Sequence, residues 1–194
     1  MISEDNEQRL KDILDLGWEI IKSKQAHGGL QLRNEAQFQY HFANILASLG
    51  EHYCIFEQDK FDIEPEEHIK TGGRSKFVDI SCRLNDIVAA LELKFPRGAT
   101  DWTRIGIYSD LEKLESMPHN LRRFYLITDS ESYQRNGTKV SQVLRTNKGL
   151  VLRPGNYGPV SIGKDGPHSF TLSETYRFNW TSENGWHFLS MRVD

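Results

Sequence analysis

Two runs, Phe77-Val78-Asp79-Ile80-Ser81-Cys82-Arg83 and Ile87-Val88-Ala89-Ala90-Leu91-Glu92-Leu93-Lys94-Phe95, flank Asn85-Asp86, and Pro96 ends the second. Apolar and β-branched residues dominate both runs, and Asn-Asp is turn chemistry. The segment therefore predicts two antiparallel strands joined by a tight turn. Pro96 has no N–H to give a central strand, so the second run stops there. Equal steps outward from the turn set Asp79 opposite Glu92. Alternate strand residues share a face, so Glu92 and Lys94 project together, about 6.6 Å apart along the strand.

Residues 87–91 are apolar at both parities, which suits a central strand covered on both sides. The plain alternative is a surface Glu92–Lys94 ion pair on a half-exposed sheet, but apolar flanks make idle charges there expensive. Two neighbouring carboxylates repel, and one protonates unless a cation compensates them. A divalent ion does so, and Mg2+ accepts one or two carboxylates, with waters and phosphate oxygens completing its shell. Beside such an ion, Lys94 would help activate a nucleophile or stabilise charge developing on a phosphate. The chemistry this predicts is metal-assisted phosphodiester hydrolysis, with Mg2+, or Mn2+ as its substitute, held by Asp79 and Glu92.

Upstream, Leu10, Ile13, Leu14, Trp18 and Ile21 recur at helical spacing and predict a helix over 3–24. His27-Gly28-Gly29 interrupts it, and a second helix is expected from the N-cap Asn34 to Leu49, ended by Gly50. Phe38, Phe42, Ile45, Leu46 and Leu49 form its apolar stripe, and Glu35 lies close to that side. Residues 52–56 and 61–63 read as short strands before an acidic, proline-containing break, Glu64-Pro65-Glu66-Glu67. Downstream, residues 110–116 are expected to lie in a helix whose core face uses Ile107, Leu111 and Leu114, and 124–128 predicts a buried strand. Residues 176–180 and 186–191 read as a hairpin around Ser182-Glu183-Asn184-Gly185. The expected architecture is one α/β domain over 1–194. Its mixed sheet has antiparallel strands flanked by helices, with a core at 34–128, an added N-terminal helix and a C-terminal hairpin.

Val78-Asp79, with Glu92-Leu93-Lys94 thirteen positions beyond the aspartate, resembles the signature of the PD-(D/E)xK nuclease superfamily, which shares a restriction-endonuclease-like fold. That core runs helix, three antiparallel strands, helix, strand, the order expected over 34–128. The resemblance implies that Asp79 and Glu92 bind metal with the Leu93 carbonyl, that Lys94 is the catalytic lysine, and that Glu35 reaches the same centre. Val78 stands where the signature has proline. The next helix has no Gln-x-x-x-Tyr, which separates the chain from the RecB-like exonuclease branch.

The chain has 194 residues, a net charge of -3 and 38% hydrophobic residues, enough for a packed core. No apolar run approaches the roughly 18 residues of a membrane span. The 2 cysteines cannot form a disulfide framework, and acidic Met1-Ile2-Ser3-Glu4-Asp5 is unlike a secretory signal, so a soluble cytoplasmic protein is expected. Charge is uneven: residues 1–70 hold 7 basic and 14 acidic side chains, and 71–194 hold 17 and 13. From Ser132 to Lys164 there is no acid at all. Arg135, Lys139, Arg145 and Lys148 in that stretch, with Arg97 and Arg104 nearer the proposed site, are candidate DNA phosphate contacts. Trp102, Tyr133 and Tyr157 are candidates for stacking on bases. The expected function is a Mg2+-dependent DNA endonuclease of a restriction, defence or repair type, naturally a homodimer if both strands are cut. An RNA-directed nuclease, or a non-catalytic nucleic-acid-binding or protein-interaction module on the same fold, are the alternatives.

Overall fold

The computed structural model describes residues 2–71, 74–135, 144–161, 164 and 166–193. Along the chain it runs α1 (Ile2–Ala26), α2 (Glu35–Tyr53), β1 (Phe61–Thr71), β2 (Arg74–Leu84), β3 (Ile87–Lys94), α3 (Asp101–Glu115) and β4 (Leu121–Thr128). After a short 3-10 turn come β5 (Val151–Leu152), β6 (Gly155–Val160), β7 (His168–Leu172), β8 (Tyr176–Arg177), β9 (Trp180–Glu183) and β10 (Trp186–Arg192). A six-stranded mixed sheet has the order β1-β2-β3-β4-β10-β9. Only β3 and β4 run parallel in it, and the α3 crossover joins them, as parallel neighbours require.

The β2–β3 register is the expected one, with Leu84 opposite Ile87 and Ile80 opposite Leu91. Period-two alternation then divides the core. Ala89, Leu91 and Leu93 pack with Trp18, Phe38 and Phe42 of α1 and α2, while Ala90 packs with Ile107, Leu111 and Phe124 on the α3 side. Glu92 and Lys94 share the parity of Ala90 and so face α3. Among the described residues, no helix is long and apolar enough to cross a membrane.

Several boundaries differ from the sequence reading. Helix α2 does not stop at Gly50 but runs through it to Tyr53, so 52–56 forms no strand. Gly50 is there for space, because a Cβ would collide with the Phe61 ring. Strand β1 continues through Pro65, which an edge strand tolerates because one row of its backbone groups has no ladder partner. Helix α3 starts at Asp101, where the Thr100 hydroxyl accepts the Thr103 N–H at 3.2 Å. The C-terminal hairpin is formed by β9 and β10 around Asn184-Gly185, both at positive φ (49° and 81°), a pairing that fits a tight hairpin turn. Tyr176 and Arg177 pair instead with β5. Since β10 adds antiparallel to β4, the hairpin extends the main sheet. Within the basic stretch lies β6, which pairs with β7, and Phe170 of β7 packs 5.9 Å from the Tyr108 ring on α3.

Gly50→Ala should destabilise the protein by about 1–3 kcal/mol through overpacking against Phe61, although alanine is the better helix former. Urea unfolding checks this, and a second change, Phe61→Leu, should recover part of the loss.

Candidate active site

The β2–β3 ladder ends at Ile80–Leu91, one step short of Asp79 and Glu92. Beyond that point the Asp79 side chain replaces the missing backbone partner, and its Oδ2 accepts the Leu93 N–H at 2.6 Å. Gln39 of α2 donates to the Asp79 carbonyl and ties the opened end to the helix layer. On β3 the neighbouring β4 still pairs at Glu92, Leu93 and Lys94, so these three residues are held in regular strand geometry. The centre therefore lies where two central strands part.

Six charged side chains meet there. Lys94 Nζ lies 3.0 Å from Asp110 Oδ2 and 3.3 Å from Glu35 Oε1. Lys113 Nζ lies 2.6 Å from Glu92 Oε1 and 3.6 Å from Asp110 Oδ1. Glu92 is only 1% exposed, yet among the described residues neither of its carboxylate oxygens has a partner in hydrogen-bond geometry; the short Lys113 contact is an ion pair out of alignment. Four carboxylates face two ammonium groups, a balance of 2 − 4 = −2 when all are ionised.

The electrostatics reflect burial and crowding. Burial, reinforced by the Asp110 and Asp79 charges, pushes Glu92 up to about 9 against the pull of Lys113. Burial also raises Asp79, partly offset by the Leu93 N–H bond and the Lys94 charge. For Lys94 burial acts downward, but Asp110 and Glu35 outweigh it and hold the ammonium above its ordinary range. Lys94 is therefore a fixed positive charge.

Glu35, Asp79, Glu92 and Lys94 are thus brought together, with the Leu93 backbone beside them. Asp110 and Lys113 were missed by the sequence reading. Their signal was present, because Asp110 lies three positions after Ile107 and four before Leu114, on the side of α3 that meets the sheet.

The expected phosphate contacts differ in their exposure. Arg104 is buried at 1% exposure, with its guanidinium 5.5 Å from the Tyr133 ring centre and bonded to the Ser132 carbonyl, so its expected surface role is corrected to a core one. Arg135 pairs with Glu131, just outside the acid-free stretch, so its charge is neutralised locally after all. Arg97 and Lys148 are exposed and Arg145 is half-buried, whereas Lys139 lies outside the described residues. Tyr133 is buried, with its hydroxyl donating to the Gly98 carbonyl; Tyr157 is half-buried; Trp102 is exposed at the start of α3.

No family model, curated protein or solved structure matches this chain. What the centre can do is therefore read from its own geometry. Among the described residues no group of three or more His, Cys, Asp or Glu is arranged to hold a metal ion. Glu92, with two buried oxygens lacking a hydrogen-bond partner, and Asp79 offer carboxylate oxygens, the hard donors that Mg2+ takes along with water.

The raised pKa of Glu92 links stability to pH. Below the ordinary glutamate range both folded and unfolded chains keep it protonated. From there to about 9 the unfolded chain ionises first, so stability falls as pH rises. Glu92→Gln should flatten this decline and be more stable than wild type near pH 8 without added metal, as thermal melts across pH 5–9 will read.

Proposed function

We propose that the protein is a Mg2+-dependent nuclease that cleaves DNA, with Asp79, Glu92 and the Leu93 carbonyl as its metal ligands. The observation that carries this reading is the convergence of four carboxylates and two lysines, two charges short of neutrality when all are ionised, at the parted end of β2 and β3. One divalent cation removes that deficit. The element order α2, β1, β2, β3, α3, β4 also agrees with the core of the restriction-endonuclease-like fold that the Asp79…Glu92-Leu93-Lys94 spacing suggests.

When bound, the ion would lower the pKa of a coordinated water and draw charge from a phosphate oxygen. The remaining work belongs to the chain. The Asp79 carboxylate is oriented by its Leu93 N–H bond and, through its carbonyl, by Gln39. Lys94, held protonated by Asp110 and Glu35, is suited to stabilise negative charge on the phosphate in the transition state rather than to accept a proton. Glu35, at the start of α2, links that helix to the lysine and also accepts the Phe95 N–H at 3.4 Å. Arg97 lies just past the end of β3 and is exposed, so it is the first candidate for a backbone phosphate, with Trp102 close in sequence for a base. Cutting both strands of a duplex would call for a second copy of the chain.

Supercoiled plasmid with Mg2+ is the direct test. Wild type should nick or linearise it, and chelation should stop the reaction. Asp79→Asn should lose both metal binding and cleavage. Lys94→Met should keep metal binding while cleavage falls by about 10²–10⁴-fold. Wild-type rates in Lys94→Met would remove the lysine from the chemistry, and a plasmid untouched by the wild-type protein would remove the nuclease reading.

A further inference from the structure

The two lysines of the centre are not equivalent, and their difference suggests how the site is kept without its metal. Lys94 lies between Asp110 and Glu35 and makes no ion pair with Glu92. Lys113 makes the opposite choice: its Nζ is 2.6 Å from Glu92 Oε1. An ion bound by Glu92 would compete with this ammonium for the carboxylate. We propose that Lys113 is a tethered cation that holds Glu92 in the metal-free protein and is displaced by the incoming divalent ion, so that it sets the affinity of the site for metal. This rests on the reading of Asp79 and Glu92 as metal ligands.

Three features support the exchange. First, Glu92 is buried, and no other ammonium or guanidinium among the described residues forms an ion pair with it, so Lys113 is the one cation within ion-pair distance of this carboxylate among them. Second, the Lys113 contact, at 2.6 Å, falls outside hydrogen-bond geometry, as does the 3.0 Å contact of Lys94 with Asp110 Oδ2, so Lys113 touches Glu92 as an ion-pair neighbour. Third, a second acceptor is present on the same helix. Asp110 Oδ1 is 3.6 Å from the same Nζ, one turn back along α3, so the ammonium can leave Glu92 without losing all compensation. The Lys113 side chain is also partly open to solvent, at 22% exposure, while Glu92 beneath it is closed off. A flexible four-carbon stem anchored on a helix suits such a short movement.

Two cations competing for one carboxylate must weaken each other's hold. Removing the tethered one should therefore tighten metal binding, whereas removing a residue that supports the ion would weaken it. Calorimetric titration of the full chain with MnCl2, and with MgCl2, should show Lys113→Met binding about tenfold or more tightly than wild type, within the usual range of such coupling. Lys113→Arg, which keeps a cation, should stay close to wild type. Without metal, Lys113→Met should melt lower than wild type, and Mn2+ should raise its melting temperature by more. Lys113→Gln, closer in polarity, should behave in the same direction, and recovery of a poorly folded Lys113→Met by Mn2+ would also support the proposal. Equal or weaker Mn2+ binding by Lys113→Met and Lys113→Gln would overturn it while leaving the metal centre standing. Absence of binding in wild type and in both variants would overturn the metal centre and this proposal together.

Discussion

Glu92, a carboxylate buried where β2 and β3 part and without a hydrogen-bond partner among the described residues, is the constraint on which the centre depends. It is 1% exposed, and its strand neighbours Leu91 and Leu93 commit their side chains to the opposite core. Compensation must therefore come from the α3 side. The parallel β3–β4 pair supplies it, because joining two parallel strands requires a crossover, and that crossover is the helix bearing Asp110 and Lys113. The helix layer on the other face contributes through Glu35 and Gln39 in the first turns of α2. Charges in the middle of a sheet are thus satisfied by elements that the topology brings there for other reasons.

The same constraint explains the asymmetry of the roles. A lysine surrounded by Asp110 and Glu35 stays charged, and its contribution is electrostatic. A lysine shared between Glu92 and Asp110 lies 2.6 Å from one carboxylate and 3.6 Å from the other, and is the one proposed to exchange. Both lie within ion-pair distance of carboxylates, but only the second contacts a proposed metal ligand.

The features legible in the sequence are those that obey short-range rules. The Asn85-Asp86 turn fixes a two-stranded register, so the Asp79–Glu92 proximity came from counting, and period two gave Glu92 and Lys94 one face. Asp110 and Lys113 were harder, because their meaning depends on where a crossover helix lies, and a charged residue on a helix ordinarily reads as solvated. Gly50 was misread as a helix stop because its role is a close approach to the Phe61 ring of β1, and nothing local announces that contact. Arg104 and Arg135 show the same limit for charge. An acid-free window says nothing of Glu131 at its margin or of a guanidinium turned inward over Tyr133.

If a divalent ion displaces Lys113 from Glu92 and is shared with Asp79, anomalous diffraction from crystals grown with Mn2+ will reveal both events at once. One strong peak is expected between the Asp79 and Glu92 carboxylates and the Leu93 carbonyl, with the Lys113 ammonium moved toward Asp110. A map with no peak there, or with Lys113 still seated on Glu92 beside an ion bound elsewhere, would refute the exchange.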